Sequence, residues 1–226
     1  MSGRLFFLLG PPSTVVLVLI LLRDVFAVFG LYHLGFCLVL PLLVNQVGRR
    51  LSWAAHLERL GLKSRNPGRD LGLGLGLAVA LGGGTLLAFE LLGGVFLANQ
   101  DVAGTLEAWG AGPQRHTALI WFMTLVNGPA EELYWRGFVH REFDADVRPG
   151  PTIAVIAAAY ASYHAVTVHL LVGRAVVAGL FLVAIWIAGL GWGWLRLKTG
   201  SVWPPLLGHA GAVLGYMLVA RPYLDS

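Results

Sequence analysis

Residues 128–137 read GPAEELYWRG and follow an apolar run at 118–126. Two adjacent carboxylates and an arginine therefore lie where a membrane-spanning helix is expected. A charged side chain at that depth costs ~2.5–3.5 kcal/mol on insertion scales and usually marks a functional site. On a helix, Glu132 and Arg136 lie four residues apart on one face, where they can neutralise each other. Glu131 is rotated by about 100° from this pair, so its carboxylate is free for chemistry.

The composition is that of a membrane protein. Of the 226 residues, 57% are hydrophobic and only 12% are charged, whereas a soluble domain is about 25% charged. Because about 20 apolar residues cross a bilayer, the sequence predicts an all-α, polytopic helical bundle of about seven spans, or about six if the first stretch does not span. The predicted spans are 4–22, 25–47, 70–98, 117–139, 152–171, 174–195 and 201–220.

The basic residues favour one orientation in the membrane. The loop between the second and third predicted spans carries six of them: Arg49, Arg50, Arg59, Lys63, Arg65 and Arg69. Such a concentration keeps a loop cytoplasmic, so we expect a multi-pass protein of the plasma (inner) membrane with a cytoplasmic N-terminus. No nucleic-acid partner is expected. We expect residues 1–115 to form accessory membrane helices with this basic loop, and residues 116–226 to form the functional core.

Two histidines lie in apolar surroundings in later spans. Counted from the cytoplasmic ends of their spans, Glu131, His209 and His164 lie roughly 12, 12 and 18 Å deep at a helical rise of about 1.5 Å per residue. The three groups can therefore share one layer of the bundle. A carboxylate and two imidazoles in one cavity are a set of groups typical of an active site. His33 and Asn127 are interpreted as structural.

Intramembrane hydrolysis can use several sets of residues, and most of them are missing here. No His-Glu-x-x-His run is present for a zinc-type protease, and every aspartate is predicted at a loop or at the end of a span. For a serine-type site, Ser162 is a loose candidate two residues before His164, but it has no glycine-flanked context. A glutamate that acts as a general base on water remains. Glu131 would take the proton, while His164 would polarise the water and His209 would donate to the developing oxyanion. A zinc ion held by Glu131, His164 and His209 is the alternative, because a glutamate with two histidines is a known hydrolytic zinc set.

The same residues form motifs that resemble a known family. Glu131-Glu132-x-x-x-Arg136-Gly137 resembles the first motif of the CAAX prenyl endopeptidase type II family, also called the CPBP family of glutamate-dependent intramembrane proteases. Tyr160-x-x-x-His164 resembles the second motif, in which the aromatic residue is usually phenylalanine. The third motif runs through Gly189-x-x-x-Gly193, Thr199-Gly200-Ser201 and His209. The order and spacing of the three motifs together carry the resemblance.

The resemblance implies an intramembrane endopeptidase that cuts a membrane-associated protein or peptide within the lipid bilayer. It implies that Glu131 and His164 activate the water and that His209 helps to form the oxyanion site. Supporting roles are expected for Glu132, Arg136, Tyr160 and Ser201. No cofactor is expected, although a zinc-dependent metalloendopeptidase remains the alternative. The short chain fits a bacterial member of the family.

One position departs from the family pattern. The third motif usually continues to an asparagine four residues after the histidine, and here that residue is Val213. Valine donates no hydrogen bond, and the loss of one oxyanion donor costs ~10²–10³ in rate unless another donor, such as Ser201 or the Trp203 indole, replaces it. An alternative function is therefore that of a catalytically weak or inactive family member that acts as a membrane binding or immunity protein. A proton-coupled transporter that uses Glu90, Glu131 and the histidines as a relay is a further alternative, but the sequence has no inverted repeat to support it.

Overall fold

The computed structural model describes residues 2–96 and 101–224, and every regular element in these two ranges is helical. This finding confirms the all-α prediction. The ten helices are α1 (Ser2–Leu21), α2 (Val25–Gly48), α3 (Trp53–Leu60), α4 (Pro67–Phe96), α5 (Val102–Ala108), α6 (116–142), α7 (Pro149–Ser162), α8 (His164–Val172), α9 (Ala175–Thr199) and α10 (Trp203–Leu224). A short 3₁₀ turn, Pro113–Arg115, leads into α6.

Four of these helices are long and apolar enough to cross a membrane, namely α1, α2, α4 and α9. A fifth span is added if α7 and α8, which meet at a bend of 44°, are counted as one. The remaining two predicted spans are helical as well, as α6 and α10. α6 differs from an ordinary span because it contains Glu131, Glu132 and Arg136. The four or five spans are those of a multi-pass membrane protein.

The middle of α6 lies in the core of the bundle. Tyr134, Trp135 and Phe138 are fully buried there, and the Trp135 indole N–H donates to the Tyr32 hydroxyl of α2 at 3.0 Å. Parts of α2 and α6 are π-helical, with hydrogen bonds over five residues in place of four. π-helical turns are rare and occur frequently at functional sites. The helix that carries the two glutamates is therefore central in the fold and irregular around them.

Glycines let α4 and α10 approach each other closely. A Cβ added to Gly82 would lie 2.8 Å from the Gly211 carbonyl oxygen, and one added to Gly215 would lie 2.7 Å from the Gly82 carbonyl oxygen. A side chain at either position would therefore force the two helices apart, as is usual at small-residue contacts between membrane helices. This contact holds α10, and with it His209, against the bundle.

Ion pairs tie the loops together at one end of the bundle. Arg4 lies 2.9 Å from Asp144 at the surface. Glu142, at the end of α6, is buried, and its two oxygens accept hydrogen bonds from Arg49 at 2.7 Å and from Arg59 at 2.9 Å. A buried carboxylate needs such partners. The basic loop therefore packs against the end of α6 because its arginines neutralise Glu142.

The Glu142 cluster predicts a pH-dependent stability. Burial alone would raise the pKa of Glu142, but hydrogen bonds and charges from Arg49 and Arg59 hold this pKa below its ordinary value. A carboxylate with a lowered folded-state pKa stabilises the fold above its unfolded-state pKa of about 4.3. This contribution is lost as the pH falls through the lower, folded-state value. We therefore expect Glu142→Gln to lower the thermal unfolding midpoint in detergent micelles near neutral pH, and its difference from the wild type to shrink in acid.

Glu58→Gln is the matched control for this prediction. Glu58 and its partner Lys63 are 67% and 64% exposed and lie 3.5 Å apart. Because such an exposed pair contributes little to stability, this variant should unfold like the wild type at every pH. A difference between Glu142→Gln and the wild type that stays constant from neutral to acid pH would contradict the assignment.

Candidate active site

Glu132 has partners from two helices. Arg136 Nη1 donates to Glu132 Oε1 at 2.8 Å, and Nδ1 of His209 lies 2.9 Å from the same oxygen. All three side chains are buried. The predicted pairing of Glu132 with Arg136 on one face of α6 is confirmed. Because a carboxylate accepts hydrogen bonds, the short contact means that Nδ1 of His209 carries a hydrogen.

Two further contacts fix Arg136. Its Nη2 donates to the Gly189 carbonyl oxygen of α9 at 3.2 Å, and its guanidinium lies 4.5 Å from the centre of the Tyr160 ring of α7. A cation over an aromatic ring is attracted by the ring's electrons. Gly189 leaves room for this arrangement, since a Cβ at that position would lie 3.3 Å from Arg136 Nη2. Arg136 thus joins α6 to α7 and α9 directly beside the glutamates.

Glu131 is only 2% exposed, and its partners converge on one of its two oxygens. Oε1 accepts from the Tyr163 hydroxyl at 2.6 Å and from Asn127 Nδ2 at 3.4 Å, and it lies 3.3 Å from Nε2 of His33. The other oxygen, Oε2, faces Nε2 of His209 at 3.9 Å. The two adjacent glutamates therefore have different surroundings. Glu132 is neutralised by an arginine, whereas Glu131 accepts hydrogen bonds from the described part of the chain at only one of its two oxygens.

His209 connects the two glutamates. Its Nδ1 is held by Glu132, and its Nε2 faces Glu131 and lies 3.5 Å from the Tyr160 hydroxyl. The ring also stacks on Trp192 of α9, with centroids 6.4 Å apart and planes at 17°. α10 thus presents an imidazole whose orientation is fixed at one nitrogen, while the other nitrogen faces the neighbouring carboxylate.

The contacts of His164 are with Tyr160 and Tyr163. It begins α8 at the bend, its Nδ1 lies 3.2 Å from the Tyr160 carbonyl oxygen, and its ring stacks on Tyr163 with centroids 4.1 Å apart. Within the described ranges, His164 forms no ion pair with Glu131 or Glu132 at 4.0 Å or less. Tyr163 connects the two sides, because its ring touches His164 and its hydroxyl donates to Glu131.

Ser201 and Trp203 have partners elsewhere. Ser201 Oγ accepts from the Trp203 backbone N–H at the start of α10, and the Trp203 indole N–H donates to the Leu62 carbonyl oxygen at 2.9 Å. Val213 is 1% exposed and packs in a hydrophobic cluster between α2, α6 and α10. The structure therefore brings neither Ser201 nor the Trp203 indole to the glutamates as a replacement donor.

The zinc alternative finds no support in the geometry. The described part of the chain contains no group of three or more His, Cys, Asp or Glu side chains that could hold a metal ion. Glu131 and His209 face each other, but the contacts of His164 are with Tyr160 and Tyr163.

Glu90 lies away from these residues. It is exposed on α4, where it lines a groove together with Leu218 and Val219 of α10. It is therefore not among the side chains that the structure gathers around Glu131.

Three side chains at the site have no functional role in the sequence-based interpretation. His33 and Asn127 are interpreted there as structural, and Tyr163 is given no role, yet all three lie at Glu131 Oε1. Asn127 could have been found, because it lies four residues before Glu131 and hence on the same face of α6. His33 could not, because nothing in the sequence states that α2 packs against α6.

Comparison with known proteins agrees with the motifs. The family model described as Type II CAAX prenyl endopeptidase Rce1-like matches residues 113–215. This segment contains Glu131, His164 and His209, and it excludes α1 to α5. No curated protein and no solved structure is significantly similar to the chain. The match confirms the resemblance over residues 113–215: this segment is similar to the Rce1-like type II CAAX prenyl endopeptidase (CPBP) family, which is a family of proteases.

Proposed function

We propose that this protein is a glutamate-type intramembrane endopeptidase that hydrolyses a peptide bond in a membrane-associated protein or peptide. The unlike surroundings of the two glutamates carry the proposal. Glu132 is neutralised by Arg136, whereas Glu131 turns Oε2 toward His209 while donors occupy its other oxygen. A carboxylate with one oxygen fixed and the other beside an imidazole suits general-base attack by water.

The proposed reaction begins at Glu131 Oε2. This oxygen takes a proton from a water molecule as the water attacks the peptide carbonyl carbon. The resulting carboxylic acid then returns the proton to the amine that leaves. His164 orients the water in this scheme. Its Nδ1 donates to the Tyr160 carbonyl oxygen, so Nε2 of the neutral ring is left as an acceptor for a water hydrogen.

We assign His209 to the oxyanion. Glu132 holds its Nδ1, and in the doubly protonated ring Nε2–H donates to the negative charge that develops on the carbonyl oxygen. The Tyr160 hydroxyl lies 3.5 Å from this nitrogen. It is a second donor at a site where Val213, packed in its hydrophobic cluster, supplies none.

Tyr160→Phe tests this second donor. The variant keeps the ring beside Arg136 and loses only the hydroxyl. Because a hydrogen bond to a charged group contributes about 1.5–3 kcal/mol, the cleavage rate should fall by about 10–100-fold. Tyr134→Phe is the control, since the Tyr134 hydroxyl donates to the Phe7 carbonyl oxygen at 2.6 Å and not to the site. If the two variants cleave at the same rate, the Tyr160 hydroxyl has no role at the oxyanion.

The proposed arrangement in the membrane has about seven spans, with α6 and α10 completing the set. Residues 1–115 would form accessory helices and residues 116–226 the catalytic core, in a plasma (inner) membrane with the N-terminus in the cytoplasm. The ion pairs at one end of the bundle support this orientation. The basic residues of the N-terminus and of the following loop pair there with acidic residues at and after the end of α6.

The proposal is tested by comparing the N-termini of proteins in host membranes that contain either the wild type or Glu131→Gln. Cleavage should produce new N-termini in or next to membrane spans with the wild type and not with the variant, which would also identify the substrate. Glu90→Gln is the matched control, because it removes a carboxylate from α4 outside the site. Identical sets of N-termini with the wild type and Glu131→Gln would refute the proposed mechanism.

A further inference from the structure

His33 of α2 lies outside the family-matched segment but reaches the proposed base. Its ring is 3% exposed, and Nε2 lies 3.3 Å from Glu131 Oε1 and 2.5 Å from Asn127 Nδ2. We infer that His33 is a positioning residue for Glu131. Together with Asn127 it fixes Oε1, so that Oε2 is the oxygen presented to water and to His209. This inference rests on the proposed function and adds to it a contribution from the N-terminal helices.

The setting of the ring shows that its polar character matters. Aromatic rings surround His33, with centroids 4.5 Å away for Tyr32, 5.5 Å for Phe29 and 5.7 Å for Phe122. A phenyl ring would suit such surroundings, whereas a buried imidazole costs free energy unless its nitrogens are hydrogen-bonded. Within the described ranges, Nδ1 has no hydrogen-bond partner. The contacts of Nε2 with Glu131 and Asn127 are therefore the interactions that can compensate for burying this ring.

Both hydrogen-bonding arrangements of these groups have the same effect on Glu131. In one arrangement Nε2–H of His33 donates directly to Oε1. In the other, the two hydrogens of Asn127 Nδ2 go to Nε2 of His33 and to Oε1. The Tyr163 hydroxyl donates to Oε1 in either case. Oε1 thus accepts from the Tyr163 hydroxyl at the α7–α8 bend and from a donor on either α2 or α6, whose side chain the other of the two orients, and a carboxylate fixed in this way has one reactive oxygen.

Enzyme kinetics test the role of His33. The probe is a quenched fluorescent peptide with the cleavage sequence found in the N-terminus comparison, and the protein is the full chain in detergent micelles. His33→Phe fills the aromatic pocket but removes a charge-assisted hydrogen bond, so we expect kcat to fall by about 10–100-fold. KM should stay within about twofold, because the loss concerns the chemical step. His33→Gln, which keeps an N–H, should recover part of kcat, and His169→Gln, at an exposed position of α8, should match the wild type.

Nuclear magnetic resonance tests the contact without relying on activity or on the fold of His33→Phe. The full chain is labelled with [15N]histidine, and the His33 signals are assigned by their loss in His33→Gln. We expect Glu131→Gln to shift the His33 Nε2 signal and to leave that of His169 unchanged. An unshifted His33 signal would overturn the inference.

The two proposals fail in distinguishable ways. If Glu131→Gln abolishes cleavage but folded His33→Phe keeps the wild-type kcat, the positioning role is wrong and the proposed function stands. If Glu131→Gln cleaves like the wild type, Glu131 is not the general base, so the proposed glutamate-type mechanism is wrong, and with it the catalytic meaning of any His33 contact.

Discussion

Glu131→Gln is expected to lower the rate of peptide cleavage by about 10²–10⁴-fold, the usual contribution of a general base. Glutamine has almost the same shape, and its carbonyl oxygen can still accept the hydrogen bond that Tyr163 donates to Oε1 at 2.6 Å. The fold around the site should therefore persist. What glutamine cannot do is take a proton from water, so the effect should appear in kcat rather than in KM.

The measurement is cleavage of the same fluorescent peptide by wild-type protein, Glu131→Gln and Glu90→Gln, with the thermal unfolding midpoint recorded for each. Glu90→Gln should cleave at the wild-type rate, because Glu90 is exposed on α4 and does not contact the site. If Glu131→Gln is folded and retains the wild-type kcat, water is activated elsewhere.

Arg136→Met is expected to destabilise the bundle by about 3–5 kcal/mol, because it breaks a buried ion pair and leaves a carboxylate without its cation. Arg136 is 1% exposed and Glu132 is fully buried, and the two are 2.8 Å apart. The variant also loses the contacts with Gly189 and Tyr160 that join three helices. A lower midpoint of thermal unfolding in detergent micelles would report this loss.

A double-variant cycle distinguishes the loss of stability caused by the unpaired charge from the loss caused by missing packing contacts. Adding Glu132→Gln to Arg136→Met removes the unpaired carboxylate while leaving an oxygen that accepts from His209, so the double variant should recover part of the lost stability. The exposed pair of Arg4 with Asp144 is the control, and Arg4→Met should cost about 1 kcal/mol or less. A double variant less stable than Arg136→Met would show that the ion pair is not the source of the effect.

Local spacing made part of this site predictable. Glu132 and Arg136 pair because residues four apart face the same side of a helix, a relation that needs no knowledge of the fold. The similar depths of Glu131 and His209 in their spans likewise predicted that the two would meet. The first prediction uses only the spacing of residues within one helix, and the second uses only the depth of each residue within its own span.

Contacts between helices that are distant in the chain could not be predicted from the sequence. His33 reaches Glu131 because α2 packs against α6, and no spacing along the chain encodes that packing. Arg196 is a second example. It directly follows the predicted span 174–195, where a basic side chain is expected at the membrane surface. In the structure it is buried, and its Nε donates to the Arg136 carbonyl oxygen at 3.1 Å. The guanidinium fits there against Gly61, whose φ of +81° and missing Cβ leave the space.

The contact of His209 with Glu132 has a consequence for substitutions at the ion pair. In many proteins a buried ion pair can be exchanged for apolar side chains with no loss, or even a gain, of stability. Here the same exchange would also release the imidazole that Glu132 orients. Apolar residues at positions 132 and 136 would therefore leave His209 without its partner even where they cost no stability.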